Sequence, residues 1–457
     1  MIKRTLTSNK LRVNLLADPI DTSLRMFAIP LTFSFLVQFI YSLIDRFYVS
    51  RLGVEAIAAI GASDQIAFLV FTLASGFGVG TGILVARRVG EGNYEDAGLV
   101  ATQAIAAMIV IGLIFTGMLY VAVPYIPALF NLEPQVAQYS KDYMGMLFLG
   151  VVGNLLTFQI SAIIRSTGNS VFPMVILIMT TIVNAVLAPL LIFGMGPFPE
   201  MGMMGAGLAT ATAQISGAGI SLWALITGKA NIVPSFKGFK VDFDIIRRIA
   251  KQGLPASLQM VSVSLNRVFL FKIVGTYGTA VVAGYTLGLY ADMIVFMFVF
   301  AMGMAVEVAT GQNLGAGLID RIHGYYKSAI VQLGTLMLAF ALVVYLGGES
   351  FVRIFTTDPD TIKEALQYLH ISIIGYIFFG IGVVSIRVIS GAGAAFLSMG
   401  ITSGSILGIQ LPLAYFLSHI VGWGPTGVWT ALVTGYIIFA VISHTAYRMG
   451  KWQHAKI

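Results

Sequence analysis

The sequence has no cysteine, so it can form no disulfide, thiolate ligand or thiol nucleophile. Charge is scarce as well. Only 10% of the 457 residues are Asp, Glu, Lys or Arg, against about 25% in soluble domains, which argues against an ordinary soluble protein. The five histidines, His323, His370, His419, His444 and His454, are scattered and show no H-E-x-x-H spacing, so no metal site is expected. The glycine-rich stretch SGFGVGTG, Ser75 to Gly82, is not followed by G-K-[ST] and lies in an apolar run. It reads as a close-packing helix surface rather than a phosphate cradle, and ATP coupling is not indicated. The first 24 residues are polar and mixed, and read as no cleavable signal peptide.

What the sequence has in abundance is apolar length, with 57% hydrophobic residues and a mean hydropathy of +0.88. A spanning helix needs about 20 mostly apolar residues, and a membrane barrel would alternate polar and apolar residues in segments of about ten. The runs here are longer and continuously apolar, so the expected class is an all-α polytopic membrane protein with twelve transmembrane helices. The runs are 25–50, 56–84, 97–122, 138–163, 172–194, 204–228, 252–275, 280–309, 326–347, 365–389, 394–419 and 425–447, numbered helices 1 to 12 below. With the N-terminus inside, inner segments carry 20 of the 27 Lys and Arg, among them Lys3, Arg4, Lys10, Arg12, Lys229, Lys237 and Lys456. That bias places both termini in the cytoplasm and accounts for the net charge of +7. No exposed basic domain remains to bind nucleic acid.

A repeat is hidden at an offset of 225 residues. IPLTFSFLVQFIYSLIDRFYVSRLG from Ile29 aligns with LPASLQMVSVSLNRVFLFKIVGTYG from Leu254, matching Pro30 to Pro255 and Gly53 to Gly278. Without a gap, Gly78 then meets Gly303, Gly90 meets Gly315, Gly92 meets Gly317 and Gly168 meets Gly393. The chain therefore reads as two parallel, pseudo-symmetric six-helix lobes, 1–228 and 252–457, joined by a basic cytoplasmic linker, 229–251. Substrate sites in transporters built from repeats lie between the repeats near the bilayer midplane.

Four acids fall well within the runs: Asp45, Asp64, Asp292 and Glu307. A carboxylate in hydrocarbon costs at least roughly 2.5–3.5 kcal/mol unless it faces a cavity or a partner, so each is a candidate functional group. The plainer reading of each is a salt bridge or a helix–helix hydrogen bond, and it weighs most for Asp64, Asp292 and Glu307. Asp45 and Asp64 lie at similar depth on helices 1 and 2. Such an acid can carry a proton, help hold Na+, or attract a cationic drug. Arg46 either snorkels away from Asp45 or pairs with it. Pro30, 15 residues before Asp45, removes a helix hydrogen bond and permits a kink, making it a candidate hinge. The 31 Phe, 20 Met and 18 Tyr could supply an adaptable surface for lipophilic cations, with Gln38, Tyr41, Asp64, Met260 and Tyr376 as candidate cavity residues.

The chain resembles the multidrug and toxic compound extrusion (MATE) transporters over essentially its whole length. The resemblance is carried by the helix 1 stretch above, ARRVGEGNYEDA, IIRSTGNSVFP, VNAVLAPLLIFG, GAGLATA and GQNLGAG. It implies two lobes that open to either side in turn and export cationic or amphipathic compounds in exchange for H+ or Na+. It also implies a monomer in the cell inner membrane, needing no cofactor beyond the coupling ion, and no enzyme activity. Asp45 matches the family's helix 1 aspartate, Asn184 its helix 5 asparagine and Thr210 a helix 6 threonine of the first-lobe site. The first lobe looks most like the DNA-damage-inducible branch, although Ala188 stands where that branch often has Asp. Another branch has acids in helices 7 and 10. Here Val263 stands near the first position and helix 10 has no acid, so its second-lobe cation site is expected to be missing.

With Asp45 nearly alone in charge, Gln38, Tyr41, Asn184 and Thr210 can supply hydrogen bonds but no charge, which favours H+ over Na+. The leading reading is a multidrug antiporter acting on drug-like cations. The alternative is a flippase for lipid-linked oligosaccharides or cell-wall precursors. A flippase would tend to line its cavity with several Lys or Arg for pyrophosphate, whereas intramembrane basic residues are few here, with Arg267 and Lys272 of helix 7 as the candidates. A membrane enzyme would need clustered His or acids at one face, and a channel sits poorly with a two-lobe repeat.

Overall fold

The computed structural model describes residues 13–228, 232–234 and 239–455. Lys3, Arg4, Lys10, Arg12, Lys229, Lys237 and Lys456 lie outside the described residues, as does part of the segment read as a linker. Among the described residues, twelve helices are long and apolar enough to cross a membrane. Helices 1 to 6 are Ile20–Leu52, Val54–Gly90, Tyr94–Ala122, Pro134–Ser166, Val171–Ile192 and Gly202–Ile226. Helices 7 to 12 are Phe243–Gly275, Thr279–Gly315, Ile319–Arg353, Pro359–Gly391, Ala395–Ile420 and Pro425–Arg448. In hydrocarbon every backbone N–H and C=O must be satisfied within the chain, and continuous helices do this. Exposed side chains are themselves apolar, as at Val110, Leu113, Ile114 and Val121 of helix 3.

Several helices outrun their apolar runs, and three of their starts are capped by a side chain, Asn93 on helix 3, Asp242 on helix 7 and Asp358 on helix 10. Helix 7 begins at Phe243, inside the stretch 229–251 read as linker. The Asp242 carboxylate accepts from the amides of Asp244 and Ile245 at 2.9 and 3.2 Å, which starts the helix early. Gln103 of helix 3 anchors that start. It donates to the Lys240 carbonyl at 2.6 Å and accepts from the Asp242 amide at 3.1 Å.

Packing divides the chain into two units, 1–14 with 29–254 and 15–28 with 255–457. The division falls inside two helices, between Ala28 and Ile29 in helix 1, one residue before Pro30, and between Leu254 and Pro255 in helix 7. Both prolines lack the N–H that would bond four residues back, so the helix is weakest where it leaves one packed body for the other.

Each unit has its own apolar core. In the first, Met108, Tyr143, Met144, Phe148, Leu155 and Ile192 are buried together. In the second, Tyr285, Tyr368, Leu369, Val428 and Trp429 are. The repeat is visible in the turns. Gly53 and Gly278 have φ of 116° and 99°, and Gly168 and Gly393 have 93° and 95°. These are left-handed conformations that a side chain resists, so equivalent glycines close equivalent turns in the two units.

Candidate functional site

Four helices of the first unit converge on Asp45. Glycines on helix 6 allow the approach. A Cβ at Gly205 would stand 2.4 Å from the Leu191 carbonyl oxygen of helix 5, and one at Gly207 would stand 2.3 Å from the Tyr143 carbonyl oxygen of helix 4. Thr210 lies one turn beyond Gly207, so the close packing brings Thr210, Asn184 and Tyr143 to a common point.

The Tyr143 hydroxyl donates to Asp45 Oδ2 at 3.3 Å, and the Thr210 hydroxyl donates to Oδ1 at 3.4 Å. Asn184 Nδ2 donates to Thr210 Oγ1 at 3.1 Å. All four side chains are buried, Asp45 at 7% exposure. The two bonds to the carboxylate exceed the usual O–H···O range of about 2.5–3.0 Å, so the acid is held loosely rather than locked. Two further oxygens point to spare capacity. Asn184 Oδ1 and the hydroxyl of Tyr41, one turn before Asp45, are buried with no hydrogen-bond partner among the described residues.

Arg46 does not pair with Asp45. Its Nη2 donates to Asp64 Oδ2 at 3.1 Å, and both of those side chains are substantially exposed, at 59% and 39%. Asp64 is therefore half of an ion pair with Arg46, not a free acid beside Asp45. A helical step of about 100° per residue turns neighbours to different faces, which is why adjacent Asp45 and Arg46 meet different partners.

The remaining candidates scatter. Gln38 is exposed on helix 1, and Met260 is 38% exposed on helix 7 of the second unit. Tyr376 is buried in the second unit, where its hydroxyl donates to Asp292 Oδ1 at 2.8 Å. Pro30 marks the crossing between units in helix 1. Glu307 accepts from Arg387 Nη1 at 2.9 Å and from the Ser390 hydroxyl at 2.7 Å, an ion pair within the second unit. Among the described residues, no group of three or more His, Asp or Glu is placed to hold a metal ion.

Tyr143 was not among the candidates. The offset of 225 could have found it, because Tyr143 aligns with Tyr368, and Tyr368 also donates its hydroxyl to a buried acid.

The MatE family model matches residues 30–190 and 255–416. The chain belongs to the MatE family. The two matched segments start at Pro30 and Pro255, in the register of the repeat. Members of the family are transporters rather than enzymes. The MatE chain is 26% identical over 448 residues to the probable multidrug resistance protein YoeA of Bacillus subtilis, covering 95% of each sequence. It is 24% identical over 434 residues to the probable multidrug resistance protein NorM of Thermotoga maritima, covering 93% of this chain and 92% of that one. A solved MOP superfamily transporter from Pyrococcus furiosus matches the fold with a TM-score of 0.88 at 24% identity, over 96% of this chain and 97% of that one.

Proposed function

We propose that this chain is a cation-coupled multidrug antiporter of the cytoplasmic membrane, coupled to H+ rather than Na+ and exporting lipophilic or cationic compounds. It works as a monomer with both termini in the cytoplasm, as the bias of Lys and Arg toward inner segments suggests. The observation that carries the reading is Asp45: a buried acid that accepts from the Tyr143 and Thr210 hydroxyls, with the neighbouring guanidinium engaged by Asp64.

That arrangement supports proton exchange. Ionised, Asp45 accepts from Tyr143 and Thr210 and carries a charge that is costly to bury. Protonated, it becomes a donor, and one hydroxyl must turn to a new acceptor. Asn184 Oδ1 and the Tyr41 oxygen are buried with free acceptor capacity. The acid can thus change its protonation state within an existing hydrogen-bond network. A cationic substrate and a proton then compete for one negative charge, which is the basis of exchange. The oxygens of Asp45, Asn184, Thr210 and Tyr41 could also contact Na+, but Asp45 is the sole charge among them.

The test uses purified protein in proteoliposomes at zero voltage, with tetraphenylphosphonium as probe and either a pH or a Na+ gradient imposed. A proton falling through one pH unit releases about 1.4 kcal/mol, worth about tenfold in substrate accumulation. The expected result is pH-driven accumulation that Asp45→Asn lowers by about tenfold per pH unit. Accumulation driven by Na+ alone, or an Asp45→Asn variant indistinguishable from wild type, would refute the assignment.

A further inference from the structure

Asp292 of helix 8 is a second buried acid, in the second unit and outside the cluster around Asp45. It is 4% exposed. Its Oδ1 accepts from Tyr376 at 2.8 Å and its Oδ2 from the Tyr368 hydroxyl. The two tyrosines lie two turns apart on one face of helix 10. Ser372 lies midway between them on that face. It is 3% exposed, and its hydroxyl has no hydrogen-bond partner among the described residues. Gly288, one turn before Asp292, seats the Tyr368 ring against helix 8: a Cβ there would stand 2.1 Å from a ring carbon.

The groups acting on Asp292 come from several helices. Helix 10 gives Tyr368 and Tyr376, helix 7 gives Arg267, helix 8 gives Tyr285 and helix 12 gives Tyr436. Helix 9 presents Phe340 to Tyr376. Arg267 is exposed and forms no ion pair with Asp292; none of the ion pairs among the described residues includes this acid.

The repeat adds an independent argument. Tyr368 is the counterpart of Tyr143 at the offset of 225, and each donates to a buried acid. The acids are not counterparts. Asp45 aligns with Leu270 and Asp292 with Ala67. The same tyrosine position thus serves an acid in both halves, supplied by helix 1 in one and helix 8 in the other. A purely structural tether would be met by a neutral amide at lower cost in hydrocarbon.

We propose that Asp292 is a second proton-carrying carboxyl, so that the second half loads a proton at its own Tyr368–Asp292–Tyr376 centre. The ligand is H+, since the two phenols already occupy the carboxylate at hydrogen-bond distance. When Asp292 takes up a proton it donates to one phenol oxygen, and that phenol's own proton must find another acceptor. The Ser372 oxygen, one turn along helix 10 from both tyrosines and without a partner among the described residues, accepts it once the phenol turns toward it. Tyr368 and Tyr376 are positioning residues. The transport consequence, two protons per cycle, rests on the antiporter reading above.

Two measurements separate this proposal from that reading. The first is infrared difference spectroscopy of the purified protein during a pH titration, which sees the C=O stretch of a protonated carboxyl and requires no transport. Asp292→Asn should remove one band and leave the Asp45 band, and Asp45→Asn should do the converse. Tyr376→Phe, kept for the case in which Asp292→Asn does not fold, should shift the Asp292 band alone. A spectrum unchanged by Asp292→Asn, or an Asp292 band unmoved by Tyr376→Phe, would overturn the proposal. The second is tetraphenylphosphonium accumulation at zero voltage: two protons give about 100-fold per pH unit and one gives about tenfold. Wild type should follow the steeper dependence, each single Asp→Asn variant the shallower, and the double variant neither. An Asp292→Asn variant that keeps the wild-type slope overturns the second proton, whereas an Asp45→Asn variant that keeps it overturns only the earlier reading.

Discussion

The two halves solve one problem with different parts. Each buries a carboxylate and gives it a hydroxyl donor from the same repeat position, Tyr143 in the first half and Tyr368 in the second. Around that shared tyrosine everything else diverges. Asp45 adds Thr210 and, through it, Asn184, in bonds of 3.1 to 3.4 Å. Asp292 has two phenols, one at 2.8 Å, inside a cage where Tyr285 stacks on Trp429 at 5.2 Å and Tyr368 meets Trp429 edge-on at 4.9 Å. The first centre is loose and amide-lined, the second tight and aromatic. The two halves therefore share the position of the donor but not that of the acid.

The comparison breaks most readily at the glycines that seat each tyrosine. Gly207 faces the Tyr143 backbone, while Gly288 faces the Tyr368 ring. Alanine at either site overpacks the core, at roughly 1–3 kcal/mol. Gly207→Ala should lie at the upper end, because a carbonyl 2.3 Å away moves only with its helix, whereas a ring can rotate. The measurement is Tm in detergent for both variants. Equal and negligible shifts would mean that the helices are not packed as closely as described.

A smaller effect separates the two ion pairs. Arg46 and Asp64 have side chains 59% and 39% exposed, while Arg387 and Glu307 are at 22% and 11%. Exposed pairs contribute about 0–1 kcal/mol, whereas an acid stranded without its buried partner costs about 1–3 kcal/mol. Arg387→Ala should therefore lower Tm clearly and Arg46→Ala little. The reverse order would show that Asp64 is the more enclosed acid.

Much of this was legible in the sequence. Twelve apolar runs gave twelve helices, because a run of that length has one stable form in a bilayer. The offset of 225 gave the repeat, and equivalent glycines do carry matching backbone angles, as at Gly168 and Gly393. The partners of the acids were less legible. Arg46 stands beside Asp45 in the chain but beside Asp64 in space, since contact follows helix faces and not adjacency. Asp292 escaped notice as half of a tyrosine-bound centre because the acid sits on helix 8 and its donors on helix 10, separated by 76 and 84 residues. A search for acids on helices 7 and 10 passes over it.

The repeat also differs at its helix caps, where the expected effect is smallest. Glu133 and Asp358 are counterparts at the starts of helices 4 and 10, each followed by proline. The Asp358 carboxylate accepts from the Thr361 amide at 2.9 Å and its hydroxyl at 2.5 Å. Glu133, one methylene longer, makes no such bond to its helix. The Thr361 hydroxyl, then its amide, hold the Asp358 carboxyl below the usual carboxylate range. A depressed acid stabilises the fold above its unfolded value, near pH 4 as a rough reference, and that contribution is lost as pH falls through the folded value. Asp358→Ala should therefore give a small fall in Tm at neutral pH that closes in acid, and Glu133→Ala should give none. Glu133→Asp should transplant the cap and raise Tm slightly. Were Asp358→Ala to keep its full deficit at low pH, the ionised carboxylate would not be the cap.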